Sequence, residues 1–444
     1  MNIVLLSGGS GKRLWPLSNE VRSKQFLKVF KNEQGIYESM VQRVFHQIKS
    51  IDDDATIIIA TSEIQVATIK SQLGEQVGIS IEPCRRDTFP AIALATAYLH
   101  DVQKKNENEA VVVCPVDPYV EKDYFAMLKN LNQQAEKGEA NLVLMGIEPT
   151  YPSEKYGYII PKDQNYLSMV ETFKEKPDTK TAEKYIKQGA LWNGGVFAYK
   201  LKYVLDIAKE IWGNCSYEFL LSNYEKLDQI SFDYAVVEKE LNIQVMRFSG
   251  KWKDLGTWNT LTEAMSEKSL GKVTIDDSSI NTHVLNELSI PIIALGVKNI
   301  VIAASPDGVL VADKNSSDKL KKYVQGIQLR PMYEECGWGT YKVLDYVTHP
   351  NGNNSITKYL IIKAGKYISY QEHKRRSEVW TFTEGMGTLV IDGQSRTVFA
   401  GDYVYIRPGM KHAIKATTEL HIIEVQIGAE LTEEDIIRYE WNEL

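Results

Sequence analysis

The sequence predicts an α/β domain built on a mostly parallel sheet, then a short β-rich module, then an all-β barrel. Three observations carry that prediction. From residue 1 to about 265, short apolar β-branched runs alternate with amphipathic helical stretches. Residues 266–330 open on a polar stretch with a glycine and continue as short strands separated by turns. Within a last domain over 331–444, the stretch from Tyr333 to Gly428 reads as nearly all strand, punctuated at Gly337, Gly352, Gly365, Gly385, Asp392-Gly393, Gly401 and Pro408-Gly409, the spacing of a double-stranded β-helix barrel.

The first element is the buried run Ile3-Val4-Leu5-Leu6, which feeds Ser7-Gly8-Gly9-Ser10-Gly11-Lys12-Arg13. Glycines let a backbone turn tightly and bring its N–H groups to an anion, and Lys12 and Arg13 add charge, so the loop reads as a triphosphate cradle. It is not a Walker A loop, because Leu6 stands where that motif needs its first glycine and Arg13 replaces the Ser/Thr. Nor is it a dinucleotide fingerprint, since Leu14 replaces the third glycine and Pro16 opposes the helix that must follow. Residues 56–60, 110–113 and 142–146 are the central strands, and 90–100 and 178–188 are helices. In the module, 292–295, 299–303 and 308–312 are strands that could stack as a partial β-helix, followed by a helix over 316–324. The tail, 432–440, reads as a short acidic helix on the outside of the barrel.

A chain of 444 residues is long enough for two or three domains, each with its own core. The net charge of -7 argues against a nucleic-acid or anionic-membrane surface, so the basic residues near the start are local anion ligands and the partners are phosphorylated small molecules. Cys84, Cys114, Cys215 and Cys336 are scattered without a CxxC pair, which fits a reducing, cytoplasmic location. No apolar run reaches the length of a membrane helix.

Two constellations suggest chemistry. Asp117 ends an apolar strand, where open α/β sheets place their ligands, and Asp254 lies in a second loop; together they suit magnesium, which takes one or two carboxylates plus phosphate oxygens. In the barrel, Gln371 and His373 are two apart and share one face of a strand, and Glu378 and His412 can converge on them. Imidazole and carboxylate ligands suit zinc or another divalent metal.

GGSGKRLWPLS, SKQFL, EPCRRDTFPAIALA, GIEPTYPSEKYGYI, FKEKPD, WNGGVF, FDYAVVEK and WKDLGTW follow one another in this chain. In order and spacing they resemble the mannose-1-phosphate guanylyltransferases, in the long bacterial form whose Rossmann-like nucleotidyltransferase domain precedes a cupin domain resembling mannose-6-phosphate isomerase. The resemblance implies transfer of GMP from GTP to mannose-1-phosphate, with magnesium, for polysaccharide synthesis. It implies that Gly8, Gly9, Gly11 and Arg13 bind the GTP phosphates, that Lys24 lies near them, and that Glu82, Arg86 and Thr88 serve the nucleotide. Gly157, Glu175, Lys176 and Asn193 then take the sugar phosphate. Asp117 and Asp254 match the magnesium ligands; Arg13, Lys24 and the two aspartates make up the catalytic set.

The chain departs from the usual pattern in three places: Asp87 replaces asparagine, Pro-Val-Asp-Pro replaces Pro-Ser-Asp-His, and Gly194 stands in the sugar loop where serine is usual. A heptose or another manno-configured phosphate is therefore an alternative substrate. So is a different role altogether: a bifunctional isomerase and transferase, or a non-catalytic binding subunit. Ala413 follows the last metal histidine where isomerases of the family carry arginine, which predicts weak or absent isomerisation. Homo-oligomer formation is left open.

Overall fold

The computed structural model describes residues 1–9, 11–327 and 330–440. These form two compact units: Met1–Ser10, Ser23–Val66 and Leu73–Ser266 make the first, and Gly11–Arg22, Ala67–Gln72 and Glu267–Leu444 the second.

The first unit is organised by a nine-stranded sheet. Strands β1 (Asn2–Leu6), β2 (Thr56–Ser62), β3 (Gly78–Glu82) and β4 (Ala110–Pro115) form a parallel block in the order β3-β2-β1-β4. The apolar runs of β1, β2 and β4 are buried along nearly their whole length, as strands covered on both faces must be. A short strand, β5 (Pro118–Val120), leaves the sheet after β4. The sheet continues with β6 (Leu142–Ile147), β7 (Tyr158–Pro161), β8 (Leu167–Lys174), β9 (Leu191–Lys200) and β10 (Ile243–Phe248). Strand β9 enters antiparallel between β4 and β6, while β6 and β10 run parallel to each other. Finally β11 (Trp252–Asp254) pairs with β5 in an antiparallel ribbon outside the main sheet.

The helix expected over 90–100 runs from Thr88 to Ala97 and continues as a wider turn, Tyr98–Val102. Every residue from Phe89 to Ala97 is buried, as its alanine-rich, all-round apolar composition requires. Pro90 is tolerated because it lies in the first turn. The helix expected over 178–188 is Thr179–Lys187, capped by Asp178, whose Oδ1 accepts the Thr181 N–H at 2.9 Å.

In the second unit, strands Ser269–Leu270, His283–Asn286 and Ile300–Ser305 stack in parallel, and Val273–Ile275 stacks on Ile292–Ala294. The strands read near 292 and 300 thus each stack on a strand the sequence reading did not find, not on each other. Gly308–Asp313 closes the first stack antiparallel. The helix predicted over 316–324 is instead a tight turn, Lys314–Lys319, followed by a helix of only Leu320–Val324. Asp313 starts the turn early by accepting the Asn315 N–H at 2.9 Å. Segment Gly11–Arg22 is fastened to this module: Arg22 makes a two-pronged ion pair with Glu287 (2.8 and 2.9 Å), Asn19 donates to Asp307 (2.8 Å), and Ser305 donates to the Pro16 carbonyl (2.7 Å). At Gly308, with φ near +149°, a Cβ would stand 2.6 Å from the Trp15 ring.

The barrel consists of a six-stranded and a five-stranded sheet around a core that includes Leu360, Trp380, Phe382, Leu389 and Ile414. Its tail corrects the sequence reading. Instead of a helix over 432–440, a single tight turn, Glu433–Asp435, leads into strand Ile436–Arg438, which pairs with Tyr367–His373. The bare edge of that strand needs a partner for its backbone groups, and two β-branched isoleucines supply one.

Candidate active sites

Strand β1 delivers the glycine loop to the C-terminal end of the parallel block. Gln25 donates to the Ser7 carbonyl and hydroxyl, both at 3.0 Å, and Ser23 donates to the Gly9 carbonyl at 2.8 Å, so residues of SKQFL fix the loop's course. Gly8 and Gly9 both lie outside the left-handed region. The tight turn expected of them is therefore not a left-handed one, and their use is the absence of a Cβ where an anion must approach. A Cβ on Gly8 would lie 3.6 Å from Glu82 Oε1. Glu82, at the end of β3, accepts from the Tyr224 hydroxyl at 2.9 Å, and burial pushes its carboxyl above the ordinary range. Arg86 donates to the Glu225 carbonyl and Thr88 accepts the Phe232 N–H at 2.8 Å, so both also hold the 225–232 segment in place. Arg13 is exposed and, among the described residues, makes no ion pair.

Asp117 and Asp254 lie far apart in sequence, and the β5/β11 ribbon brings them together by pairing Asp254 opposite Pro118. Lys24 Nζ lies 2.8 Å from Asp117 and 3.7 Å from Asp254. Two half-open carboxylates that draw one ammonium between them fit a cation ligand set.

The third cluster gathers Gly157, Glu175, Lys176 and Asn193. The Asn193 N–H donates to the Gly157 carbonyl at 2.8 Å, which ties β9 to the loop before β7. A Cβ on Gly157 would stand 2.5 Å from Glu175 Oε2 and 2.8 Å from the Phe173 ring. Only glycine leaves room for that buried carboxylate. Lys176 pairs with Glu175 and holds φ at +42°, a left-handed conformation that a non-glycine residue adopts under constraint. Burial lowers the Lys176 ammonium and the Glu175 bond raises it, with a net rise. Between this cluster and the aspartates lie Tyr156, Trp192 and Trp252, with ring centroids 5.0 to 6.4 Å apart. Burial and the charges of Asp254 and Asp117 push the Tyr156 hydroxyl far up.

In the barrel, His373 Nε2 lies 3.1 Å from Glu378 Oε1, and His412 Nε2 lies 3.8 Å from Glu378 Oε2. His412 Nδ1 is 3.0 Å from the Met410 carbonyl, which fixes the proton there and leaves Nε2 bare, buried and without a hydrogen-bond partner. Burial holds both imidazoles below their ordinary range, His373 at about 3. Strand register sets Gln371 opposite His412. This buried set of neutral nitrogens and a carboxylate fits a divalent metal.

The same site opens into a cavity of about 640 Å³ whose walls include Lys358, Arg376, Trp380, Glu424 and Gln426. Arg376 donates to Glu378 at 2.9 Å, and the Trp380 indole bridges Glu378 and Glu424 at 3.0 and 3.1 Å. Ala413 faces the other way, packed with Tyr370 and Val390. An arginine there would not point into the cavity, and Arg376 and Lys358 already bring positive charge to it.

Comparison with known proteins agrees with both halves. The Nucleotidyl transferase family matches residues 2–269, and the Mannose-6-phosphate isomerase C-terminal family matches residues 330–441. A mannose-1-phosphate guanylyltransferase of Salmonella montevideo is 30% identical over 98% of both chains. The chain belongs to the mannose-1-phosphate guanylyltransferase family. The xanthan biosynthesis protein XanB of Xanthomonas campestris pv. campestris is 29% identical, covering 98% of this chain and 97% of its own. A Thermus thermophilus structure described as a mannose-1-phosphate geranyltransferase is 27% identical, covers 73% of this chain and 98% of its own, and superposes with a TM-score of 0.61.

Two of the departures from the guanylyltransferase pattern now have physical accounts. Asp87 sits at φ +67° and caps the helix by accepting the Thr88 N–H at 2.7 Å, a bond that the side-chain oxygen of asparagine could accept equally. A Cβ at Gly194 would stand 2.4 Å from the end of the Ile147 side chain, so serine there would require that side chain to move. The residues missed in sequence are Asp233, Tyr156, Trp252, Tyr224, Arg376, Lys358 and Glu424. Arg376, Glu378 and Trp380 alternate with period two, a readable sign that all three share one face.

Proposed function

We propose that this guanylyltransferase family member makes GDP-mannose and pyrophosphate from GTP and mannose-1-phosphate in the cytoplasm, a location that its four free cysteines support. The observation that carries the reading is the convergence of Lys24 on Asp117 and Asp254 at the mouth of the glycine loop's sheet. Gly8, Gly9 and Gly11 accept the triphosphate, with Glu82, Arg86 and Thr88 on its nucleoside side. Lys176 takes the sugar phosphate, and Glu175 and Asn193 its hydroxyls. A sugar-phosphate oxygen attacks the α-phosphorus in line as pyrophosphate leaves, while Arg13 and Lys24 neutralise the growing charge. Bound at Asp117 and Asp254, magnesium supplies charge neutralisation and orientation of phosphate oxygens. Within this scheme the transferase occupies residues 1–265, the module 266–330 and the barrel 331–444.

Pyrophosphate release across a panel of nucleoside triphosphates and sugar-1-phosphates tests the reading. A preference for GTP with mannose-1-phosphate is expected. Equal use of glucose-1-phosphate, or no turnover with any pair, would refute it.

The barrel cavity favours a second reading, in which the chain also interconverts mannose-6-phosphate and fructose-6-phosphate. Arg376 and Lys358 supply cations for a phosphosugar, and Gln371, His373, Glu378 and His412 hold zinc or another divalent metal. A coupled isomerase assay with added zinc or cobalt decides this, and activity surviving in His412→Ala would sink it.

A further inference from the structure

The FDYAVVEK segment brings a carboxylate into the third cluster that no role above uses. Asn193 Nδ2 donates to Asp233 Oδ1 at 2.6 Å, while Asn193 Oδ1 accepts the Gly195 N–H at 3.0 Å. A carboxylate only accepts, and a backbone N–H only donates. Rotating the Asn193 amide by half a turn would set oxygen against oxygen on one side and NH2 against N–H on the other. The amide therefore has one orientation, and one N–H and one oxygen lone pair remain for a ligand.

We propose that Asp233 is a positioning residue of the sugar subsite, locking the Asn193 amide so that its remaining donor and acceptor meet two adjacent sugar hydroxyls. The proposal rests on the sugar role given above to Asn193. Its surroundings agree with a functional and not merely a space-filling carboxylate. Asp233 is half-buried beside Glu175, a like charge, and faces Lys176; burial first and Glu175 second push its carboxyl up to about 6. Such crowding is unfavourable for the fold on its own, and it recurs where ligands bind. Asn193, Glu175 and Lys176 are the polar groups that face it from the neighbouring elements.

The test is steady-state kinetics of pyrophosphate release with whichever sugar-1-phosphate the wild-type protein uses best, so that a wrong choice of sugar does not disturb it. Asp233→Ala should raise the KM for the sugar phosphate about tenfold, the loss of a charge-assisted hydrogen bond, and leave the KM for GTP within about twofold. Asp233→Asn, which can still accept from Asn193, should recover most of that loss and guards against misfolding of the alanine variant. The double variant Asn193→Ala/Asp233→Ala should be no worse than Asn193→Ala, because both changes remove one interaction. Additive losses, or equal changes in both KM values, would overturn the positioning role while leaving the transferase reading intact. A wild-type protein that releases no pyrophosphate with any sugar overturns both.

Discussion

At the scale of single residues, charge decides the behaviour of the site. Asp117→Ala or Asp254→Ala should abolish pyrophosphate release while the protein remains folded, because each removes half of a cation site at an open edge; full turnover in both variants would remove the magnesium assignment. Lys24→Ala should lower kcat on the order of 100-fold, since its interaction strengthens as charge develops on the phosphorus. Asp233 makes a pH prediction whose sign follows from its raised carboxyl. Between about pH 4 and 6 the folded protein holds a proton there that the unfolded chain has released, so this group's contribution to stability falls as pH rises through that window. Melting temperatures of wild type and Asp233→Asn across that range should differ in slope, and parallel curves would show that the carboxyl is not perturbed. These residues were unequally legible. Asp117 and Lys24 stand in recognisable motifs, but no local pattern announces that Asp233 would touch Asn193, because their contact depends on how β9 meets the turn that follows Phe232.

At the scale of elements, short strands carry more consequence than their length suggests. Central strands were readable because fully buried runs are apolar throughout, as in Val111-Val112-Val113. The β5/β11 ribbon was not, because three residues are too few to show a period, yet it makes neighbours of the two aspartates. The tail strand escapes the sequence for a related reason: its acidic residues suit a helix but make only a tight turn, and the edge of Tyr367–His373 draws the isoleucines after them into a strand. Asp435 accepts the Lys374 and Arg375 N–H groups at 3.1 and 3.0 Å, directly after His373. Asp435→Ala should therefore weaken zinc retention in the barrel by about tenfold, an effect of the size found for outer-sphere supports, and leave pyrophosphate release unchanged. Zinc content after graded chelation measures it; equal retention would mean that the tail does not brace the histidine strand.

For the molecule as a whole, the order of parts was legible, α/β then β-rich module then barrel, but composition described the module only as a connector. In three dimensions it is the footing of Gly11–Arg22. Glu287→Ala leaves Arg22 without its carboxylate and should lower both the melting temperature and kcat for pyrophosphate release, whereas His412→Ala should leave that kcat unchanged. A calorimetric scan and an initial-rate series distinguish the two; unchanged turnover in Glu287→Ala would show that the footing is dispensable.

That footing also bears on how such a chain could be inherited in pieces. A genetic break near residue 266 separates Arg22 from Glu287, Asn19 from Asp307 and the Pro16 carbonyl from Ser305. The upstream gene product would keep its sheet and its aspartates but lose the partners that shape the segment carrying Arg13. A break past the module, near residue 330, severs none of these bonds. Descendants that shed the barrel by recombination should therefore retain the stacked strands along with the transferase half, and shuffled chimaeras joined at the earlier point should be the ones that selection discards.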